Sequence, residues 1–143
     1  MYSNILVGVD GSENAYRALD SAIRLAEKLS SKLTLLYVVH APVSLTIDGS
    51  FTASEVFSAL GKEGEKVLED CESKAEQHNI PVKAILASGD PAQQIIDTAK
   101  AEGADLIVLG SRGLGKVKSL LLGSVSSKIV HYAKEPVLII RPE

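Results

Sequence analysis

The chain has 143 residues, 45% hydrophobic and 23% charged, with a formal net charge of -3. That size suits one domain spanning residues 1–143 with a core of its own, and the composition excludes a disordered or fibrous chain. A single cysteine, Cys71, forms no internal disulfide, and neither a signal peptide's flank nor the roughly eighteen apolar residues of a membrane helix is present, so a cytoplasmic protein is expected.

Asn4 to Val9 is a nearly continuous apolar run, which suits a strand buried on both faces. A helix follows: Ser12 can cap it, and Ala15, Ala18, Leu19, Ala22, Ala26 and Leu29 recur on one face. Leu33 to Val39 reads as the second strand, and a loop with Pro42, Asp48 and Gly49 comes next. From Ala53 to His78 the apolar positions step by threes and fours, predicting one long helix, with Gly61 and Gly64 weakening its first half. Val82 to Ala87 gives a third strand, and Asp90-Pro91 starts a third helix whose buried face holds Ala92, Ile95, Ile96 and Ala99. Gly103 ends that helix, Asp105 to Leu109 forms a fourth strand, a last helix runs from about Gly123 to Ala133, and Pro136 to Ile140 is a fifth strand. Strands alternating with helices predict an α/β fold, a five-stranded parallel open sheet with helices on both faces. In such sheets ligands bind beyond the carboxyl ends of the strands, so the loops after strands one and four are the places to search.

The loop after strand four reads Gly110-Ser111-Arg112-Gly113, then nine residues, then Gly123-Ser124 at the start of the last helix. Gly110 and Gly113 let backbone approach an anion, and successive N–H groups there can form a concave nest. Free N–H groups at the helix start, with the hydroxyls of Ser124 and Ser126, make a phosphate site. Leu106 to Lys134 holds no Asp or Glu but carries Arg112, Lys116, Lys118, Lys128 and Lys134, a positive island in an acidic chain. An anionic small ligand is implied, with neither nucleic acid nor membrane as partner.

The spaced set Gly110, Gly113, Gly123, Ser124 resembles the ATP-binding signature of the universal stress protein family. The opening Ile5-Leu6-Val7-Gly8-Val9-Asp10-Gly11-Ser12-Glu13 is similar to that family's first strand and its Asp, and the closing Pro136-Val137-Leu138-Ile139-Ile140 matches as well. The resemblance implies a Rossmann-like sheet of strand order 3-2-1-4-5, of the adenine nucleotide alpha hydrolase type, in a stress-response module regulated by nucleotide. It places Val9 and Asp10 at the base and ribose, with the Asp10 carboxylate accepting ribose hydroxyls, and gives Val38 backbone hydrogen bonds to adenine. Gly110, Arg112, Gly113, Gly123, Ser124, Val125 and Ser126 would surround the ribose and phosphates of ATP, or of AMP, with Mg or Mn carried by the nucleotide. Two positions depart from the family: Gly8 stands where many members have Pro, and Arg112 where some have His.

A homodimer through Pro136 to Ile140 is also expected, since that edge strand carries no charge to protect it and can pair with itself about a two-fold axis. Beyond self-association, a protein partner of unknown identity is implied. Gly110 to Lys116 satisfies the first seven positions of a Walker A loop, but Val117 replaces the magnesium-binding Ser or Thr and the loop follows the fourth strand. A receiver domain would need clustered acids after strand one, where Asp10 stands alone, and no Ser/His/Asp set or acid pair points to an enzyme beyond slow ATP hydrolysis. His40, His78 and His131 fall on separate elements without metal-ligand spacing, so surface or packing roles are expected, and Cys71 reads as core.

Overall fold

Strand β1 (Asn4–Gly8) takes the centre of the sheet because Ile5, Leu6 and Val7 are apolar in succession and are fully buried, with successive side chains feeding opposite faces. The computed structural model describes residues 1–40, 49, 51–112 and 122–142. In chain order β1 is followed by α1 (Glu13–Leu29), β2 (Lys32–Val39), α2 (Ala53–Glu76), β3 (Val82–Ser88), α3 (Pro91–Ala101), β4 (Leu106–Gly110), α4 (Ser124–Tyr132) and β5 (Val137–Ile140). All neighbouring strands pair parallel in the order β3-β2-β1-β4-β5, which is the predicted topology. The expected loop holding Pro42 and Asp48 lies outside the described residues.

Capping chemistry sets the helix starts. Ser12 accepts a hydrogen bond from the Ala15 N–H (3.1 Å), Thr52 from that of Glu55 (3.1 Å), and Asp90 from that of Gln93 (3.0 Å) with Pro91 in the first position. Gly103, at φ +67°, turns the chain out of α3. Strand alternation then sorts the core into two clusters. Ile5, Val7, Leu33, Leu35, Tyr37 and Val108 pack with α1 and α2 on one face, while Leu6, Leu36, Ile107 and Leu109 pack with α3 and α4 on the other.

Helix α2 runs through Gly64 as expected, and a Cβ there would lie 2.6 Å from the Tyr37 ring and 2.8 Å from Leu86 Cδ1, so the glycine lets the helix pack closely on the sheet. Two differences from the sequence expectations have physical causes. Asp105 is not part of β4. Its carboxylate accepts the N–H groups of Ser3 (3.0 Å) and Asn4 (3.1 Å), tying the chain start to the sheet. Burial would raise its pKa, but those amide donors outweigh it and hold the carboxyl below its ordinary value. Pro136 precedes β5 rather than opening it, although its carbonyl accepts the Ile107 N–H (3.0 Å). Cys71 is fully buried, and burial pushes its thiol up to about 12, which is the chemistry of a packing residue.

Candidate functional site

In the sheet β1 lies beside β4, but the chain leaves β1 toward β2 on one side and leaves β4 toward β5 on the other, so the carboxyl ends of β1 and β4 diverge into separate turns. A cavity of about 470 Å³ opens at this switch point, a size suited to a small organic ligand. Its two sides differ in chemistry. Toward β2 and α3 it is lined by Leu36, Val38, His40, Pro91 and Ile95; toward β4 and α4 it is lined by Leu109, Gly110, Arg112, Gly123, Ser124, Val125 and Ser126; Val9 and Asp10 follow β1.

The candidate residues Val9, Asp10, Val38, Gly110, Arg112, Gly123, Ser124, Val125 and Ser126 are therefore brought to one cavity, whereas Gly113, Lys116 and Lys118 lie outside the described residues. Val9 sits one residue beyond β1, its N–H donating to the Leu36 carbonyl (2.9 Å). Asp10 Oδ1 accepts the Ser12 N–H (2.9 Å), which fixes the carboxylate at the mouth of the turn. Helix α4 begins with Gly123 at its N-cap and no side-chain cap, so among the described residues the N–H groups of its first turn have no N-cap side chain to accept from them. The Ser126 hydroxyl donates its one proton to the Gly110 carbonyl (2.8 Å), binding the end of β4 to α4 rather than offering that proton to an anion.

Both glycines of this side are also demanded by the protein's own packing. A Cβ on Gly110 would lie 2.7 Å from Asn14 Oδ1 and 3.1 Å from the Asn14 carbonyl, and one on Gly123 would lie 3.1 Å from the Ser111 carbonyl, to which the Gly123 N–H donates (2.7 Å). Asn14 is a residue that the sequence reading missed. Buried at the head of α1, it accepts the Arg112 N–H (2.8 Å) and donates to the Ile140 carbonyl (3.0 Å), so one amide joins the glycine loop to the end of β5. A signal existed: Asn14 heads the i, i+4 row that continues through the buried Ala18, Ala22 and Ala26.

His40, expected to have a surface or packing role, is exposed and also lines the cavity, two residues beyond Val38 and four beyond Leu36. Its Nδ1 donates to the Gly89 carbonyl (3.2 Å). Among the described residues no group of three His, Cys, Asp or Glu could hold a metal ion. Among the described residues no helix is long and apolar enough to cross a membrane.

Comparison with known proteins gives a consistent answer. The family model described as the universal stress protein family matches residues 1–141. The chain is 37% identical to the universal stress protein YxiE of Bacillus subtilis, covering 99% of this chain and 100% of that protein, and 40% identical to a universal stress protein of Thermus aquaticus with the same coverage. Among solved structures it is similar to protein MJ0577 of Methanocaldococcus jannaschii (TM-score 0.88, 29% identity, 100% of this chain and 98% of that one). It is likewise similar to UspA of Lactobacillus plantarum (TM-score 0.86, 30% identity, 98% of each chain). A further universal stress protein, solved in complex with cAMP, matches with a TM-score of 0.75 and 25% identity over 97% of each chain.

Proposed function

The chain belongs to the universal stress protein family, and from that premise we propose that it is a regulatory stress-response module that binds an adenine nucleotide, ATP foremost, in the cavity between β1 and β4. One observation carries this: a single cavity that is apolar on one side and ends, on the other, at an uncapped helix N-terminus beside Arg112. The apolar side suits a purine ring, and the helix start suits phosphate oxygens. A relative of 25% identity bound to cAMP supports an adenosine ligand.

In this assignment the backbone of Val38 meets the adenine, and Val9 and Asp10 lie along the base and ribose. With Oδ1 engaged by Ser12, the second oxygen of Asp10 accepts the ribose hydroxyls. Gly110, Gly113, Gly123, Ser124, Val125 and Ser126 surround the phosphates with backbone amides, and Arg112 adds positive charge. Asp10 is the one carboxylate among the described lining residues, so Mg or Mn would arrive on the phosphates rather than in a protein-built site. The molecule would act in the cytoplasm as a homodimer, its two-fold contact made by β5, which pairs only with β4 and leaves Val137 to Ile140 half-exposed.

Calorimetric titration with ATP, AMP, cAMP and GTP, with and without magnesium, tests the ligand. ATP should bind with a micromolar Kd, about -8 kcal/mol, and absence of heat with every adenine nucleotide would refute the assignment. Sedimentation at micromolar concentration tests the dimer, and a clean monomer would remove β5 as a contact.

A further inference from the structure

The nucleotide cavity and the edge of β5 meet at one buried side chain. Asn14 Oδ1 accepts the Arg112 N–H (2.8 Å), and Asn14 Nδ2 donates to the Ile140 carbonyl (3.0 Å). Both partners are backbone groups of one-way chemistry, an N–H that only donates and a C=O that only accepts. Turning the amide over would set oxygen against oxygen and N–H against N–H, so one orientation makes both bonds and the other makes neither. There is little slack around it: Asn14 is buried, and a Cβ on Gly110 would lie 2.7 Å from Oδ1.

The far arm of this link reaches the edge of the sheet. The Ile140 carbonyl also takes the Ser111 N–H (2.9 Å), so it points from β5 toward β4, in keeping with the pairing of Gly110 with Ile140. Among the described residues no peptide bond is cis, and across a trans peptide the C=O and N–H point opposite ways. The Arg141 N–H, on the same peptide group, is therefore directed away from β4, to the side of β5 where no described strand pairs. A second copy adding to that edge takes its hydrogen bonds from such groups. One peptide plane thus carries the Asn14 bond on its oxygen and the edge donor on its nitrogen.

We propose that Asn14 couples the nucleotide cavity to self-association: a nucleotide seated beside Gly110 and Arg112 holds the loop that Asn14 engages, and the amide in turn holds the Ile140–Arg141 peptide in the geometry that pairs with a second copy. The coupling rests on the readings of ligand and of β5 contact made above and deepens both. Part of the ordering that the dimer needs is already present in the nucleotide-bound protein, so ATP strengthens the dimer, and by linkage dimerisation strengthens ATP binding by the same factor. A link of two hydrogen bonds should carry about fivefold.

Sedimentation of the full chain with and without ATP, on wild type and Asn14→Asp, tests it, with saturation checked by calorimetry. An ionised aspartate keeps an oxygen for the Arg112 N–H but cannot donate to the Ile140 carbonyl, so it cuts the β5 arm alone. The wild-type dimer should tighten about fivefold with ATP, and the Asn14→Asp dimer should not respond. A wild-type dimer indifferent to ATP or weakened by it, or a variant that responds as wild type does, would overturn the coupling while leaving nucleotide binding and the dimer intact. Hydrogen exchange at the Asn14 side-chain amide needs no variant: it should slow when ATP is added to dilute, monomeric wild type, and unchanged exchange would likewise overturn the proposal. If wild type binds no ATP, or forms no dimer, that underlying reading falls and the coupling with it.

Discussion

The two sides of the cavity are built by different means. Toward β2 and α3 the wall is made of side chains, Leu36, Val38, Pro91 and Ile95, whose volumes can be trimmed in small steps. Toward β4 and α4 it is made of backbone, held in shape by Asn14, by the Ser126 hydroxyl, by Gly110 with no room for a Cβ and by Gly123 with little. A side-chain wall should respond to substitution in proportion to the atoms removed; a backbone wall should fail at single positions.

The sharpest test is Gly110→Val. Its Cβ would need the space of Asn14 Oδ1 and Cγ, at 2.7 and 2.8 Å, so the protein should lose about 1–3 kcal/mol in urea unfolding and the surviving fold more than tenfold in ATP affinity. A stable Gly110→Val protein with unchanged affinity would break the distinction between the two walls. Next in size is Asn14→Ala, which leaves the Arg112 N–H without its acceptor while the Ile140 carbonyl keeps the Ser111 N–H (2.9 Å). Denaturant midpoints should report a loss of about 1–3 kcal/mol, accompanied by weaker ATP binding although Asn14 is not itself placed against the ligand. If ATP affinity holds while stability falls, Asn14 supports the fold but not the site.

The smallest effect is expected on the other wall. Ile95→Val removes one methylene from a residue that both packs in the core and lines the cavity. Stability should fall by about 0.5–1.5 kcal/mol and ATP affinity by about fourfold, the worth of one buried methylene near 0.8 kcal/mol. A loss as large as that of Gly110→Val would show that this wall, too, is rigid.

The same contrast explains what the sequence disclosed. Strands such as Ile5-Leu6-Val7 and caps such as Asp90-Pro91 depend on local chemistry, so the elements and helix starts could be read directly, whereas the strand order came from the family resemblance. Gly110 and Gly123 were legible as punctuation, and with Asp10 and Val38 they converge on one cavity. Their packing partners were not legible. Asn14 lies 98 residues from Arg112 and 126 from Ile140 in sequence, and no local pattern encodes a meeting over such separations. The close packing at Gly64 was illegible for the same reason, since helix propensity registers its flexibility and not the Tyr37 ring beside it. That His40 lines the cavity was recoverable, because extending the two-residue alternation of Leu36 and Val38 by one step reaches it.

Helix α4 starts at Gly123 without a side-chain cap, and glycine at that position leaves a helix roughly a few tenths of a kcal/mol less secure than Ser or Asp would. An anion seated there would complete the helix as a Ser or Asp does elsewhere, so occupancy becomes a matter of local unfolding as well as of contact. Amide hydrogens at Ser124, Val125 and Ser126 should exchange quickly in the empty protein and slow when ligand is added. At a hundredfold excess over Kd, ligand binding stabilises the fold by about 2.7 kcal/mol. The first turn of α4 is where a partner protein could sense whether the cavity is filled.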